Sequence, residues 1–336
     1  MKRRTTASDQ PSEGGRETPR PVVVVSECLG FGAVRYDGQI LRSRFVEALR
    51  DHVDFLQVCP EVGIGLGVPR DPVRLVDDAG RLRMLQPATE RDLTSAMWEF
   101  GQRFLSSLAQ VDGFILKSRS PTCGPGDVRV YAPGERGAGM RKEAGLFAQA
   151  VREYHPLAPV EDEGRLTNLQ IRHHFLASLF TVARFRSARA RGTIAELVRF
   201  QTEHKLLLMA QSPALPQWLG RLTACQDGAP ASQVFQRYAE ALGPGLRTPP
   251  RAGTTVNALQ HAFGYLSSRL TVQERRYFLE LLEEYRGERL PVAAVLTVLR
   301  AWIIREGEPY LEGQRLFDPY PRALLELADS GQGRRA

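Results

Sequence analysis

The chain has 336 residues, 43% of them hydrophobic and 25% charged, which fits a globular protein with room for two cores. No uncharged apolar run reaches the roughly 18 residues of a membrane helix, and residues 1–20 lack the apolar stretch of a signal peptide, so a soluble cytoplasmic protein is expected. The formal net charge is +7, carried mainly by the second half: 23 Lys and Arg against 18 Asp and Glu in residues 161–336, compared with 22 against 20 before them.

Residues 1–20 are rich in Ser, Thr, Gly, Pro and charge and read as a disordered tail. The β-branched run 22–25 then predicts a strand buried on both faces of a parallel sheet. It leads into Ser26-Glu27-Cys28-Leu29-Gly30. The Gly30-Phe31-Gly32 that follows lacks the third glycine and helix register of a dinucleotide fingerprint, which speaks against a nicotinamide site.

Residues 42–52 carry apolar positions at helical spacing, and 54–58 form a second strand, ending in Cys59-Pro60-Glu61. Glycines at 63, 65 and 67 let the backbone approach a ligand closely. A variable segment, 71–86, is placed to act as a lid. Residues 89–110 predict an amphipathic helix with Leu93, Met97, Phe100, Phe104, Leu105 and Leu108 on one face. A third strand, 113–116, leads into Lys117-Ser118-Arg119-Ser120-Pro121-Thr122-Cys123-Gly124. Residues 141–154 predict a further covering helix, and the proline- and acid-containing segment 156–164 a domain boundary.

After residue 165 strand signals disappear. Thr193 with Glu196 and Thr271 with Glu274 read as capping boxes, and Pro291 as a first helical residue. Apolar residues recur at helical spacing in 194–210, 254–270, 272–286 and 291–304, and the end, 330–336, reads as frayed. The fold class is therefore α/β: a three-layer, Rossmann-like parallel-sheet domain over 21–158, followed by an all-α domain over 165–329.

Residues 165–205 hold eight basic side chains against two acids. Arg184, Arg186, Arg189, Arg191 and Lys205 make this a candidate phosphate-binding face, with a solvated helix face as the alternative. His204 and Lys205 also fit a helix whose polar face packs on the first domain, and His173 and His174 read as surface or interface residues.

Four cysteines in a cytosolic chain are expected to be reduced, metal-binding or catalytic, and the spacings of 31 and 64 residues are too wide for a zinc finger. Cys28, Cys59 and Cys123 each end a strand. If the strands are parallel neighbours, the three thiols converge on one sheet edge, where open α/β folds bind ligands. Three thiolates suit an iron–sulfur cluster with one iron lacking a protein ligand. A three-cysteine zinc site and three buried structural cysteines remain alternatives. Cys225 reads as a core residue of the helical domain.

The three cysteine-bearing stretches, with Arg35-Tyr36-Asp37-Gly38 and Val68-Pro69-Arg70, resemble the successive motifs of the thiouracil desulfidase (TudS) family over residues 21–155. Glu203-His204-Lys205-Leu206-Leu207-Leu208-Met209-Ala210 is similar to the YbgA-like helical domain. The two in this order resemble the fused RudS-type desulfidases acting on 4-thiouridine in tRNA. The resemblance implies a 4Fe-4S cluster on Cys28, Cys59 and Cys123, whose open iron takes the thiocarbonyl sulfur. Water then replaces the sulfur without net redox change, and hydrosulfide leaves. The Leu-Gly-Phe-Gly-Ala after Cys28 departs from the family pattern and leaves substrate contacts open.

Within that chemistry Glu61 is the candidate acid/base, with Glu27 and Asp37 as substitutes, or else a loop carboxylate paired with Arg70 or Arg35. Ser118 or Ser120 would hold the base edge or the attacking water. Arg70 and Arg119 would anchor a phosphate or the cluster's charge, or form structural ion pairs. The partner implied is tRNA containing 4-thiouridine, bound through the basic helical domain. The competing readings are a desulfidase of free thiouracil or thionucleosides, and a metal-containing tRNA-binding regulator without turnover.

Overall fold

The computed structural model describes residues 18–133, 141–224 and 228–325. Most of the expected 1–20 tail, the 330–336 end and Cys225 lie outside the described residues. Four strands form a parallel sheet: β1 (Val22–Ser26), β2 (Asp54–Val58), β6 (Gly113–Leu116) and β9 (Val160–Asp162). Its order is β2-β1-β6-β9, with Ser26 level with Val58 and Leu116 level with Asp162. The expected neighbours are therefore paired, and all four carboxyl ends open on the same edge.

The valine run alternates between two cores, as strand geometry requires. Val24, with Phe114 and Leu116, packs against α3 (Thr94–Ser107) and α4 (Leu146–Tyr154). Val23 and Val25, with Ile115, face α1 (Arg44–Leu49) and a long helix, α5 (Leu169–Arg191). A helix of the second domain thus supplies the third layer of the first. Gly113 makes the approach possible, since a Cβ there would stand 2.8 Å from Leu179 Cδ1.

Two sequence readings need correction. The supposed boundary, 156–164, contains strand β9; its three residues, Val160, Glu161 and Asp162, are too few to show a periodicity. The 71–86 segment contains a hairpin, β3 (Arg74–Asp78) and β4 (Arg81–Gln86), turned at Ala79 and Gly80, both at positive φ. Leu75 and Met84 are fully buried. With β5 (Arg91–Asp92), β7 (Val128–Tyr131) and β8 (Arg141–Glu143) the hairpin builds a second sheet in the order β5-β4-β3-β7-β8. The helix expected from 141 begins only at Leu146, after β8 and Gly145.

In the helical domain, α6 (Ile194–Gln211), α9 (Ala252–Leu266), α10 (Val272–Arg286) and α11 (Val292–Glu306) follow the predicted segments, with Pro291 as the N-cap of α11 and not its first turn. Thr271 and Glu274 form the reciprocal capping box, whereas Glu196 turns its side chain to Arg191 and Arg199. Helices α7 (Leu215–Ala224), α8 (Ala231–Arg247) and α12 (Pro309–Glu312) complete it. Helix α5 is buried on most sides, so it shows no apolar stripe for a 3.6-residue search to find.

Candidate active site

Cys28 follows β1 directly, and Cys59 follows β2 as the N-cap of the one-turn helix α2 (Pro60–Gly63), whose Pro60 suits a first helical position. Cys123 lies in the loop after β6. That loop is seated on the start of α4: the carbonyl of Pro121 accepts from Leu146 N, and that of Thr122 from Phe147 N at 3.0 Å and Ala148 N at 3.2 Å. The loop thereby satisfies amide groups that a helix start leaves open. The seat requires Gly145, where a Cβ would meet the Thr122 carbonyl oxygen at 2.4 Å.

The three cysteines are free thiols and line one cleft of about 670 Å³ at the carboxyl edge of the sheet. Burial pushes the Cys28 thiol up to about 12, the charge of Cys59 adds to the rise, and Lys117 and Arg35 oppose it. Burial likewise raises Cys59. Cys123 rises well above the ordinary thiol range, chiefly through burial and further through Cys28, Glu61 and Cys59, although the Ser26 hydroxyl pulls it back. Cys28 and Cys123 thus each feel another thiol of the cleft. Bringing three thiolates together there requires a compensating cationic centre. Among the described residues no three His, Cys, Asp or Glu side chains gather as the ligands of a single ion would. Three free thiols on one cleft are of the donor type that an iron–sulfur group takes.

Two carboxylate networks flank the thiols. Glu61 Oε2 accepts from Arg70 Nε, and Arg70 Nη2 is also at 2.8 Å, while Glu61 Oε1 accepts from Thr122 Oγ1 at 2.8 Å. Arg70 also donates to the carbonyls of Val34 and Gly67, tying the two glycine-bearing loops together. The pairing of Glu61 with Arg70 is therefore real, and Arg70 is bound up in holding the wall. Across the cleft, Glu163 accepts from Lys117 Nζ, from Ser118 N at 2.8 Å and from Ser118 Oγ at 2.8 Å. Sequence reasoning missed Glu163 because it sits just past β9, in what read as a linker. The apolar Val160 before three acids was the available signal.

Ser118 faces the cleft with its hydroxyl shared between Lys117 and Glu163. Ser120 Oγ accepts from Cys123 N at 3.1 Å and Thr122 N at 3.3 Å, which leaves its O–H as a donor. Glu27 lines the cleft, whereas Asp37 is taken up by Arg35 at 3.1 Å.

The basic face read from residues 165–205 does not assemble. Arg184 is buried and donates to the Pro319 carbonyl at 2.6 Å, and burial lowers its pKa to about 9. Arg186 is paired at 2.9 Å with Asp112, which is fully buried and also accepts from Val22 N. Arg172 is buried over the Phe45 ring. The cause is the position of α5 between two cores, which charge counting does not register. Arg189, Arg191 and Lys205 are exposed, with Arg191 paired to Glu196 at 2.6 Å.

The histidines are likewise internal. His173 Nδ1 lies 2.6 Å from the Tyr320 hydroxyl, and burial takes both His173 and His174 down to about 4. His204 stacks on Phe200 at 4.0 Å inside the bundle, so it does not pack on the first domain.

A parallel sheet whose strand ends bring three free thiols to one cleft forms the first domain, and a helical domain follows it. Residues 23–163 match the model of the 2-thiouracil desulfurase family, and residues 205–321 match that of the protein of unknown function DUF1722. The chain thus carries a stretch similar to the former family followed by one similar to the latter, the YbgA-like one. The chain is 28% identical over 137 residues to the uncharacterized protein YbbK of Bacillus subtilis, covering 38% of this chain and 91% of that one. It is 25% identical over 140 residues to the uncharacterized protein YbgA of Escherichia coli, covering 41% and 82%. Among solved structures it is similar to the [4Fe-4S]-dependent thiouracil desulfidase TudS, at 30% identity, 44% and 93% coverage and a TM-score of 0.36. No helix among the described residues is long and apolar enough to cross a membrane.

Proposed function

We propose that this protein is an iron–sulfur-dependent desulfidase that converts 4-thiouridine in tRNA to uridine and releases hydrosulfide without net redox change. The observation that carries the reading is the convergence of Cys28, Cys59 and Cys123 at the ends of three adjacent parallel strands, in a domain of the 2-thiouracil desulfurase family. A 4Fe-4S cluster held by these thiolates supplies, through an iron without a protein ligand, a Lewis acid matched to a soft thiocarbonyl sulfur.

The chain's own groups divide the remaining work. Glu61, two residues from Cys59, takes the proton of the incoming water, and Arg70 and Thr122 fix its orientation. Ser118, held by Glu163, and Ser120, with its free O–H, bind the pyrimidine edge or the water. The buried Cys123, with Val58 and Leu116 at the strand ends, restricts bulk water. The net positive charge supports a polyanionic substrate, and the exposed Arg189 and Lys205 of the helical domain supply part of its salt-sensitive affinity.

The family description itself favours a second reading, in which free thiouracil or a thionucleoside is the substrate. Protein purified without oxygen should contain about four irons per chain and abolish the thiocarbonyl absorbance of thiolated tRNA, and Cys123→Ala should lose both properties. A faster rate on the free base than on intact tRNA would establish the second reading. Binding of tRNA with no sulfide released from any thiolated pyrimidine would leave a regulator.

A further inference from the structure

The tRNA reading leaves several residues of the cleft lining without a role. Arg35, Tyr36, Arg119 and Arg165 are among them. Arg35 is engaged by Asp37 at 3.1 Å and Arg165 by Glu161 at 2.8 Å. Arg119 differs from both. Its side chain is 87% exposed, and its nearest acid, Asp127, stands at 4.0 Å from the guanidinium while accepting from Arg119's own backbone N at 2.8 Å. The backbone of Arg119 is at φ 57, a left-handed conformation that a non-glycine residue adopts only when its surroundings impose it. Asp127 imposes it here, and the result is an arginine pointed outward from the loop that also carries Ser120 and Cys123.

Tyr36 is the second element. It is 44% exposed at the same cleft, in a loop anchored from below because its carbonyl accepts from Arg70 N at 2.9 Å. The guanidinium of Arg35 lies 5.5 Å from the ring centre, a cation–π arrangement that steadies the ring. An exposed aromatic ring and a weakly committed arginine on one cleft are the two elements that single-stranded nucleic acid uses, a face for a base and a charge for a phosphate. A free pyrimidine base, which has no phosphate and no neighbour to stack, gains nothing from Arg119.

We propose that Arg119 and Tyr36 are specificity-determining residues that recognise the strand flanking an extruded thiolated base, with Arg119 on a backbone phosphate and Tyr36 stacked on an adjacent nucleotide. The proposal rests on the tRNA reading above and makes the α/β domain itself, not only the helical one, a reader of RNA. It also accounts for selection of a polymer over a free base at these two residues, leaving the three thiols common to both.

The test uses the full chain purified without oxygen. Binding of tRNA lacking thiolated bases is measured across a salt series, alongside sulfide release from thiolated tRNA and from free 4-thiouracil. Arg119→Asn, chosen because asparagine tolerates left-handed backbone, should lower the slope of log affinity against log salt by about one unit, and Arg119→Lys should restore it. Tyr36→Ala should weaken binding at least about five-fold, and Tyr36→Phe should keep it. In both Arg119→Asn and Tyr36→Ala the ratio of kcat/KM on thiolated tRNA to that on free base should fall by a similar factor.

Unchanged slope, affinity and ratio in folded variants would overturn the proposal while leaving the desulfidase reading intact, as would wild-type protein that binds no tRNA yet desulfurates the free base. Absence of sulfide release from every substrate, with the slope still reduced by Arg119→Asn, would support Arg119 as an RNA contact and remove the desulfidase reading instead.

Discussion

In the α/β domain the polar side chains collect at the open ends of four parallel strands, where Glu27, Glu61, Lys117 and Arg119 line one cleft. In the helical domain Arg172, Arg184 and His204 lie inside the packing. The same residue types meet opposite fates because strand ends terminate at an edge by construction. The surroundings of a helical residue depend instead on which neighbours cover each face. Motifs at strand ends can therefore be read as sites, whereas a run of basic residues on a helix cannot be assigned to solvent until its neighbours are known.

That contrast predicts different failures in the two regions. Replacing Cys123 with Ala should cost the most, removing bound iron and all sulfide release from a folded chain; iron retained at wild-type level would mean that the strand ends do not hold the cluster. Next come the internal charges. Asp112→Ala, which leaves Arg186 without its partner, should destabilise by about 3–5 kcal/mol in thermal or denaturant unfolding. Arg184→Glu should also be strongly destabilising, and neither change should alter tRNA affinity in protein that remains folded. Weakened tRNA binding with normal stability would instead restore these arginines to the surface.

Glu61→Gln should lower kcat by about 100-fold or more while iron content stays unchanged. An unaltered rate would shift the proton transfer to the Glu163 network. Acid should then separate the domains by their histidines. The folded-state values of His173 and His174, near 4, lie below the ordinary value of 6.5, so the folded chain binds fewer protons than the unfolded one across that interval. Stability present above pH 6.5 is lost as pH falls toward 4, by up to about 3 kcal/mol per histidine. His173→Phe should flatten the fall of Tm with pH, and an equally steep fall would show that other groups dominate. The smallest effect belongs to the outer face: Arg189→Ala with Lys205→Ala should weaken tRNA binding only a few-fold and reduce its salt slope.

Much of the fold could be read from the sequence where one physical signal acted alone. The strands at 54–58 and 113–116 were found within their limits because a short apolar run ends in Cys-Pro or Lys-Ser, and α10 was found because Thr271, Glu274 and a clear stripe agree. The three cysteines followed from those strand ends. What stayed hidden had mixed signals. Helix α5 lacks a stripe because it is covered nearly all round. Strand β9 is too short to alternate, and with it went Glu163. The hairpin at 74–86 carries arginines on its exposed side that mask Leu75 and Met84 beneath.

Helix α5 also bears on how such a chain can be divided. Phe175, Leu176 and Leu179 cover the same sheet face as Val23, Val25 and Ile115, while Phe185 and Ala188 of the same helix belong to the bundle. Cutting the chain after residue 164 would leave α1 alone over that face and uncover the apolar surface that α5 covers, so the fragment should lose solubility. A soluble excised desulfidase domain would have to retain α5 and replace its outward aromatic residues, or recolour the exposed valine face with polar side chains. The junction behaves as a weld and not as a hinge, since one helix belongs to both cores.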